Sequence, residues 1–226
     1  MASILFVGGW EMKAWLAQDC FIGLEEASSR QGLPVIVVPF LGCNLNCKSE
    51  KYPDYYCSEK HSSAKEVTVP DLINEIKLFP CDRVSIIGGE PLLDHRRAFL
   101  ETLLRELRSL GYEVSIKTNG SQDIGWVKKE FPEVIVIGGW KCPVISGERA
   151  NKAMLESNLS LYEKTDALRF MVSRDDLEEV ERVLKSHPEI KAQVFLTPVW
   201  GTIDSSEVTD WIIKHLEFNV RLSSQF

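Results

Sequence analysis

Three cysteines carry the strongest chemical signal in this chain: Cys43, Cys47 and Cys57, in the stretch Gly42-Cys-Asn-Leu-Asn-Cys-Lys-Ser-Glu-Lys-Tyr-Pro-Asp-Tyr-Tyr-Cys57. Thiolates are the ligands of iron–sulfur clusters. Three of them on one loop can hold a four-iron cube and leave its last iron open to a small molecule, so the trio points to chemistry at the cluster as well as electron storage. Zinc is the rival metal. A structural zinc site takes four ligands from closely spaced pairs, and neither Cys43/Cys47 nor Cys57/His61 makes a tight knuckle. The start, Met-Ala-Ser-Ile-Leu-Phe-Val-Gly-Gly-Trp, has no basic leader, so a reducing, cytoplasmic setting is expected and disulfides are not. Cys20, Cys81 and Cys142 lie in mixed or apolar surroundings and read as packing thiols.

The elements that must position the cysteine loop follow from the hydrophobic pattern. Pro34-Val-Ile-Val-Val-Pro39 is a β-branched run that feeds directly into the loop, as a buried strand feeds a functional turn. A helix is predicted from Val69-Pro70-Asp71 to about Leu78, with Asp71 at its positive end and Leu72, Ile73 and Ile76 on one face. Val84–Ile87 is the next strand and delivers Gly88-Gly89-Glu90 to a turn. Leu100, Leu103, Leu104 and Leu107 mark one face of a helix over 97–110 that Gly111 ends. The alternation continues with strand Glu113–Lys117, turn Thr118-Asn119-Gly120, a helix near Ile124–Glu130, strand Val134–Ile137, and an irregular stretch through Lys141-Cys142-Pro143. A helix around Arg149–Leu161, strand Leu168–Val172, helix Asp175–Ser186, strand Gln193–Leu196 and a helix over Ser206–Leu216 capped by Ser205 or Ser206 complete the pattern.

Strand–helix alternation of this kind predicts an α/β fold, a mostly parallel sheet with helices outside. The C-terminal strand ends then share one rim, where parallel barrels place their chemistry. The cysteines, Gly88–Glu90, Thr118–Gly120, Lys141 and Thr197–Trp200 all fall at such ends. The 226 residues show no spacer that would split them, so a single domain is expected. No apolar run approaches the ~20 residues of a membrane span. A formal net charge of −7 disfavours general nucleic-acid binding, which depends on Lys and Arg at phosphates.

The residues at that rim resemble the radical S-adenosylmethionine superfamily, and within it the 7-carboxy-7-deazaguanine synthase family. The resemblance rests on Gly42-Cys-Asn-Leu-Asn-Cys47, Ile87-Gly-Gly-Glu-Pro-Leu-Leu93, Thr118-Asn-Gly-Ser121, Lys141-Cys-Pro143 followed by Ser146-Gly147, Phe195-Leu-Thr-Pro-Val-Trp-Gly201 and Asn219-Val-Arg-Leu222, and covers most of the chain. It implies a partial, parallel (β/α) barrel over 1–226, with 1–33 as an N-terminal extension on the substrate side and 42–62 as the cluster loop. It implies a [4Fe–4S] cluster on Cys43, Cys47 and Cys57 whose open iron binds S-adenosyl-L-methionine. One electron then cleaves the sulfonium to a 5′-deoxyadenosyl radical, which takes a hydrogen atom from 6-carboxy-5,6,7,8-tetrahydropterin. Ring contraction with loss of ammonia gives 7-carboxy-7-deazaguanine for queuosine- and archaeosine-type biosynthesis, which makes the expected enzyme a carbon–nitrogen lyase.

The same resemblance implies site residues. Gly88, Gly89 and Glu90 meet the methionine part of the cofactor, Tyr56 stacks near its adenine, and Asn119, Lys141, Thr197, Pro198 and Trp200 are further cofactor-side residues. Ser58 and Glu59 stand where the family holds Mg2+. Glu25 and Ile87 stand at substrate positions, an electron donor such as flavodoxin or ferredoxin is implied, and a homodimer is admitted. The sequence departs from the family in its Cys-x3-Cys-x9-Cys spacing and mainly on the substrate side. Of a Gln-Gly-Glu-Gly segment only Glu25 remains, Pro39 replaces an Arg, Ile87 a Thr or Ser, and Gly139 an Asp or Ser. A radical activase that places a radical on a partner protein, a related enzyme with a different substrate, and a zinc-binding scaffold without catalysis are the alternative readings.

Overall fold

The computed structural model describes residues 12–53 and 64–223. Strands β1 (Lys13–Leu16), β2 (Phe21–Leu24), β3 (Pro34–Phe40), β4 (Lys65–Thr68), β5 (Arg83–Gly88), β6 (Glu113–Thr118), β7 (Ile135–Lys141), β8 (Ala167–Val172), β9 (Gln193–Pro198) and β10 (Val220–Leu222) form one 10-stranded sheet. Its order is β10-β9-β8-β7-β6-β5-β3-β1-β4, with β2 also on β3. From β3 to β10 every pairing is parallel, while β1, β2 and β4 join antiparallel. The path has two ends, β10 and β4, so the sheet is not closed: this is the partial, parallel β/α barrel expected.

Helices α1 (Val69–Ile76), α2 (Arg97–Ser109), α3 (Gly125–Glu130), α4 (Pro143–Ser146), α5 (Glu148–Asn151), α6 (Leu177–Ser186) and α7 (Ser205–Lys214) occupy the connections. Thr68 caps α1 by accepting from the Asp71 amide at 3.3 Å, and Val69, Leu72, Ile73 and Ile76 are its buried side. In α2 the stripe Phe99, Leu100, Leu103, Leu104 and Leu107 is buried. Full burial of one such side chain contributes about 1.5–3 kcal/mol, so this stripe outweighs any single polar contact in the helix. Gly111, at φ +80°, takes the chain out of α2.

Because side chains alternate along a strand, the sheet has two different faces. Val84, Ile86, Val114, Ile116, Val136, Leu168, Phe170, Val194 and Leu196 pack in the main core with residues of α1, α2, α3, α6 and α7. The other face carries Ser85, Ser115, Lys117, Ile135, Ile137, Ala167, Arg169, Phe195 and Thr197. There Ala27, from the loop joining β2 to β3, packs with Ile135, Ile137, Ala167 and Phe195. This is the inner face of the barrel.

Four local expectations need correction. The helix around Arg149–Leu161 does not form: α5 stops at Asn151, and Glu156–Asn158 makes a single 3-10 turn. Backbone and side-chain groups there bond across the fold instead, Leu155 N to Gly120 O at 3.1 Å and Asn158 Nδ2 to Gln122 O at 2.8 Å. Asp204, in a capping box with Glu207, starts α7 in place of Ser205 or Ser206. β7 runs through Lys141, so the irregular stretch begins only at Cys142. β1, β2, β4 and β10, three or four residues each, lacked a long enough alternating pattern to be predicted.

Candidate functional site

The rim at the C-terminal ends of β3, β5 and β6 brings Cys43, Gly88–Glu90 and Asn119 together. After β3 the cysteine loop stays paired to the β5 turn: Gly89 N donates to Phe40 O and Glu90 N to Gly42 O, each at 3.0 Å. Gly88 sits at φ +116°, and a Cβ there would fall inside the Phe40 backbone. Only glycine permits this approach.

Glu90 is fully buried. Its carboxylate accepts from Thr118 Oγ1 at 2.9 and 3.0 Å, Asn119 N at 2.6 Å and Leu92 N at 3.0 Å. Burial raises its pKa, opposed by the bonds from the Asn119 and Leu92 amides and Thr118 and by the charge of Lys141. The carboxylate is therefore turned toward β6, where it fixes the turn that carries Asn119. Asn119 Nδ2 in turn donates to Cys43 Sγ at 3.4 Å and to Asn44 Oδ1 at 3.0 Å, and Leu45 N donates to the same sulfur at 3.4 Å. Two N–H donors on one sulfur suit a thiolate that carries negative charge to a metal.

Arg96, invisible as a site residue in the sequence, clamps this arrangement from behind. It is buried, and its Nη1 donates to Gly42 O at 3.2 Å and Glu90 O at 2.9 Å while Nη2 donates to Leu41 O. Its guanidinium also lies 5.8 Å from the Phe40 ring centroid. In the sequence it belongs to His95-Arg96-Arg97, a run that reads as solvated charge just before α2. A signal that separates Arg96 from Arg97 exists only in three dimensions.

Cys47 is buried at the far side of the loop, where the chain docks on α4. Lys48 N donates to Ser146 O at 3.1 Å, Ser49 Oγ to Val144 O at 2.7 Å, and a Cβ on Gly147 would meet Lys48 O at 2.6 Å. Thus Ser146-Gly147, part of the motif after Lys141, forms the seat of the cysteine loop. Lys141 ends β7 half-buried at the rim, its carbonyl accepting from Asn151 Nδ2 at 2.8 Å. Tyr56, Cys57, Ser58, Glu59 and His61 lie outside the described residues, and so do 1–11 and 224–226. Among the described residues no group of three His, Cys, Asp or Glu could hold a metal ion.

The remaining predicted positions separate. Pro198 ends β9 half-buried, and Trp200 in the following turn is 93% exposed. Thr197 is buried on the inner face, and its hydroxyl accepts from Arg169 Nε at 2.8 Å. Ile87, half-buried, stands on the same face beside Lys117 by strand register. Glu25 is buried and accepts from Ser115 Oγ at 2.6 Å; burial raises its pKa against that bond and the charges of Lys117 and Arg30. Two cavities, about 560 and 460 Å³, lie around Tyr112, Glu113 and Thr165 and around Lys191, Ala192 and Asn219. Those residues flank the N-terminal ends of strands, away from the cysteine rim.

With this geometry, similarity to known proteins becomes decisive. No family model matches the chain. The 7-carboxy-7-deazaguanine synthase of Methanospirillum hungatei JF-1 is 31% identical over 199 residues, which are 87% of this chain and 77% of that protein. This chain belongs to the 7-carboxy-7-deazaguanine synthase family. A second member, from Koribacter versatilis, is 28% identical over 225 residues and 92% of each chain. The crystal structure of QueE from Escherichia coli shares the fold, with a TM-score of 0.69 at 21% identity over 94% of each chain. No helix among the described residues is long and apolar enough to cross a membrane.

Proposed function

We propose that this chain is a radical S-adenosylmethionine enzyme that converts 6-carboxy-5,6,7,8-tetrahydropterin to 7-carboxy-7-deazaguanine with loss of ammonia. The observation that carries the reading is the convergence at one rim of Cys43, the Gly88–Glu90 turn and Asn119, which stand 76 residues apart at most in the chain yet meet within hydrogen-bond distance. Family membership supplies the reaction class.

Within this reading the cluster loop is 42–62, and Cys43, Cys47 and Cys57 hold a [4Fe–4S] cluster. The donors on Cys43 Sγ and the buried seat of Cys47 fit that role. The cluster and S-adenosylmethionine, when bound, supply the radical that starts the reaction. The chain supplies position. Gly88 and Gly89 leave backbone uncovered for the charged methionine end, and Lys141 adds a cation at the same rim. Glu90 and Arg96 act one step back, holding the turn and the loop. Tyr56 and Trp200 offer aromatic faces to the adenine and Pro198 is a further cofactor-side residue, while Ser58 and Glu59 are oxygen donors for Mg2+. Glu25 and Ile87 belong to the inner face, where the pterin enters, Thr197 on the same face is kept as a cofactor-side residue, and a flavodoxin or ferredoxin delivers the electron.

Anaerobic reconstitution with iron and sulfide, then dithionite, S-adenosylmethionine and the carboxytetrahydropterin, tests the proposal. 5′-Deoxyadenosine together with 7-carboxy-7-deazaguanine is the expected result. A fully loaded cluster that gives no 5′-deoxyadenosine refutes the radical reading. Cleavage of S-adenosylmethionine without turnover of the pterin refutes the substrate, and zinc in place of iron with no brown chromophore favours a scaffold.

A further inference from the structure

The inner face holds a charge arrangement that the rim chemistry does not use. Lys117 on β6 and Arg169 on β8 both bond to one oxygen of Glu26, from the loop joining β2 to β3. Two cations thus share one carboxylate. Arg169 is fixed from its other edge by Thr197, and among the described residues its Nη2 makes no hydrogen bond. Lys117 likewise has Glu26 as the acceptor for one of its three N–H groups.

The other acids nearby are taken up elsewhere, Glu25 by Ser115 Oγ at 2.6 Å and Glu113 by Arg30 at 2.9 Å, so Glu26 is the carboxylate that bonds to both cations among the described residues. Lys117 keeps 25% and Glu26 27% of its side-chain surface while Arg169 behind them keeps 8%, so the cluster is reached from open space at its Lys117 and Glu26 edge. An ion cluster of this kind is a weak stabiliser compared with apolar packing, because both signs must leave water. Its donors are better suited to recognition: Arg and Lys are the groups that bind a carboxylate with charge-assisted hydrogen bonds. Lys117 lies two residues before Asn119, a rise of about 7 Å, so a ligand held here reaches the rim.

We propose that Lys117 and Arg169 form the subsite for the carboxylate of the substrate, with Glu26 as the resident counter-ion that keeps both cations oriented. The inference rests on the proposed function, since 7-carboxy-7-deazaguanine is by its name an acid. It adds where this chain, with Pro39 and Ile87 on the same strand row as Lys117, recognises that acid.

Binding of 7-carboxy-7-deazaguanine and of 7-deazaguanine, the same ring without the acid, should be compared by calorimetry on the reconstituted holoenzyme. The wild type should prefer the acid by about tenfold to a hundredfold, the span of a charged hydrogen bond. Lys117→Met and Arg169→Met should each remove most of that preference and leave binding of the neutral ring unchanged. Glu26→Gln is the decisive variant: freeing two cations from their anion should tighten the acid severalfold while lowering the melting temperature. A purely structural ion cluster predicts the opposite, weaker binding in all three variants for both rings. Retained acid preference in folded Lys117→Met and Arg169→Met, or weaker acid binding in Glu26→Gln, overturns the proposal. Glu26→Gln alone decides if the Met variants do not fold. Turnover of the carboxytetrahydropterin by the same wild-type preparation keeps the functional reading separate, because it can succeed while the subsite fails.

Discussion

The cysteine rim and the inner face below it share strands β5 and β6 but are held by different forces. At the rim, backbone amides and carbonyls of residues 40–42 and 89–90 bond to each other, and Arg96 donates to three carbonyls there. On the inner face, side-chain charges meet across 91 and 143 residues of sequence, Glu26 with Lys117 and with Arg169. Backbone pairing tolerates little change in shape, because a shifted carbonyl loses its partner outright. Charge pairing tolerates change in composition, because any acid can satisfy the cations. On the proposed function, the rim is suited to a fixed cofactor and the inner face to a substrate that comes and goes.

The sharpest way to break this contrast is at the rim cysteine itself. Cys43→Ala should abolish iron loading and S-adenosylmethionine cleavage, while far-ultraviolet circular dichroism stays native because the loop remains clamped by Arg96. Next in size come the shape-dependent supports. Gly88→Ala drives a methyl into the Phe40 backbone at a φ that disfavours alanine, and should cost about 3 kcal/mol in urea denaturation. Arg96→Met strands the carbonyls of Leu41 and Glu90 and leaves Gly42 O to the Glu90 amide, and should cost a similar ~3 kcal/mol, with lowered iron occupancy. A normal cluster content in either variant would show that the rim is less dependent on shape than its bonding suggests.

A smaller effect separates the two carboxylates by sign. For Glu26, burial raises the pKa, but Lys117 and Arg169 outweigh it and hold the group below the ordinary 4.5. Its contribution to stability is therefore fully present above pH 4.5 and is lost as pH falls through the folded value. Glu26→Gln should cost about 2 kcal/mol at pH 7 and progressively less below pH 4.5. Glu90 runs the other way, its pKa raised above 4.5 by burial. Stability tied to its protonated form is present below pH 4.5 and lost as pH rises through the folded value. Relative to wild type, Glu90→Gln should therefore improve as pH rises. Urea titrations from pH 4 to 8 measure both slopes, and slopes of equal sign would contradict the assignment.

The same contrast explains what the sequence made legible. The rim is built from short continuous strings at strand ends, Gly42–Cys47, Ile87–Leu93 and Thr118–Ser121, so its residues announce themselves locally. Asn119 was found through its turn, and the structure adds that its amide meets Cys43. Arg96 was missed because its three acceptors are carbonyls, which leave no mark on sequence. Lys117, Glu26 and Arg169 were missed because each is an ordinary charge in its own segment, and only the parallel register from β6 through β7 to β8 brings them to one place. The failed helix at 149–161 has a related cause: its amides and Asn158 serve the Gly120–Gln122 turn, a contact that helical periodicity cannot anticipate.

The weakest expected effect lies at Trp200, which joins the two regions in sequence only. It follows Thr197 of the inner face by three residues, yet its ring is 93% exposed, so it contributes almost nothing to packing. Trp200→Ala should leave stability within about 0.5 kcal/mol of wild type. If its ring serves the adenine, the KM for S-adenosylmethionine should rise several-fold while the affinity for 7-carboxy-7-deazaguanine stays unchanged. A change confined to the acid would instead assign Trp200 to the substrate side and redraw the boundary between rim and inner face at the end of β9.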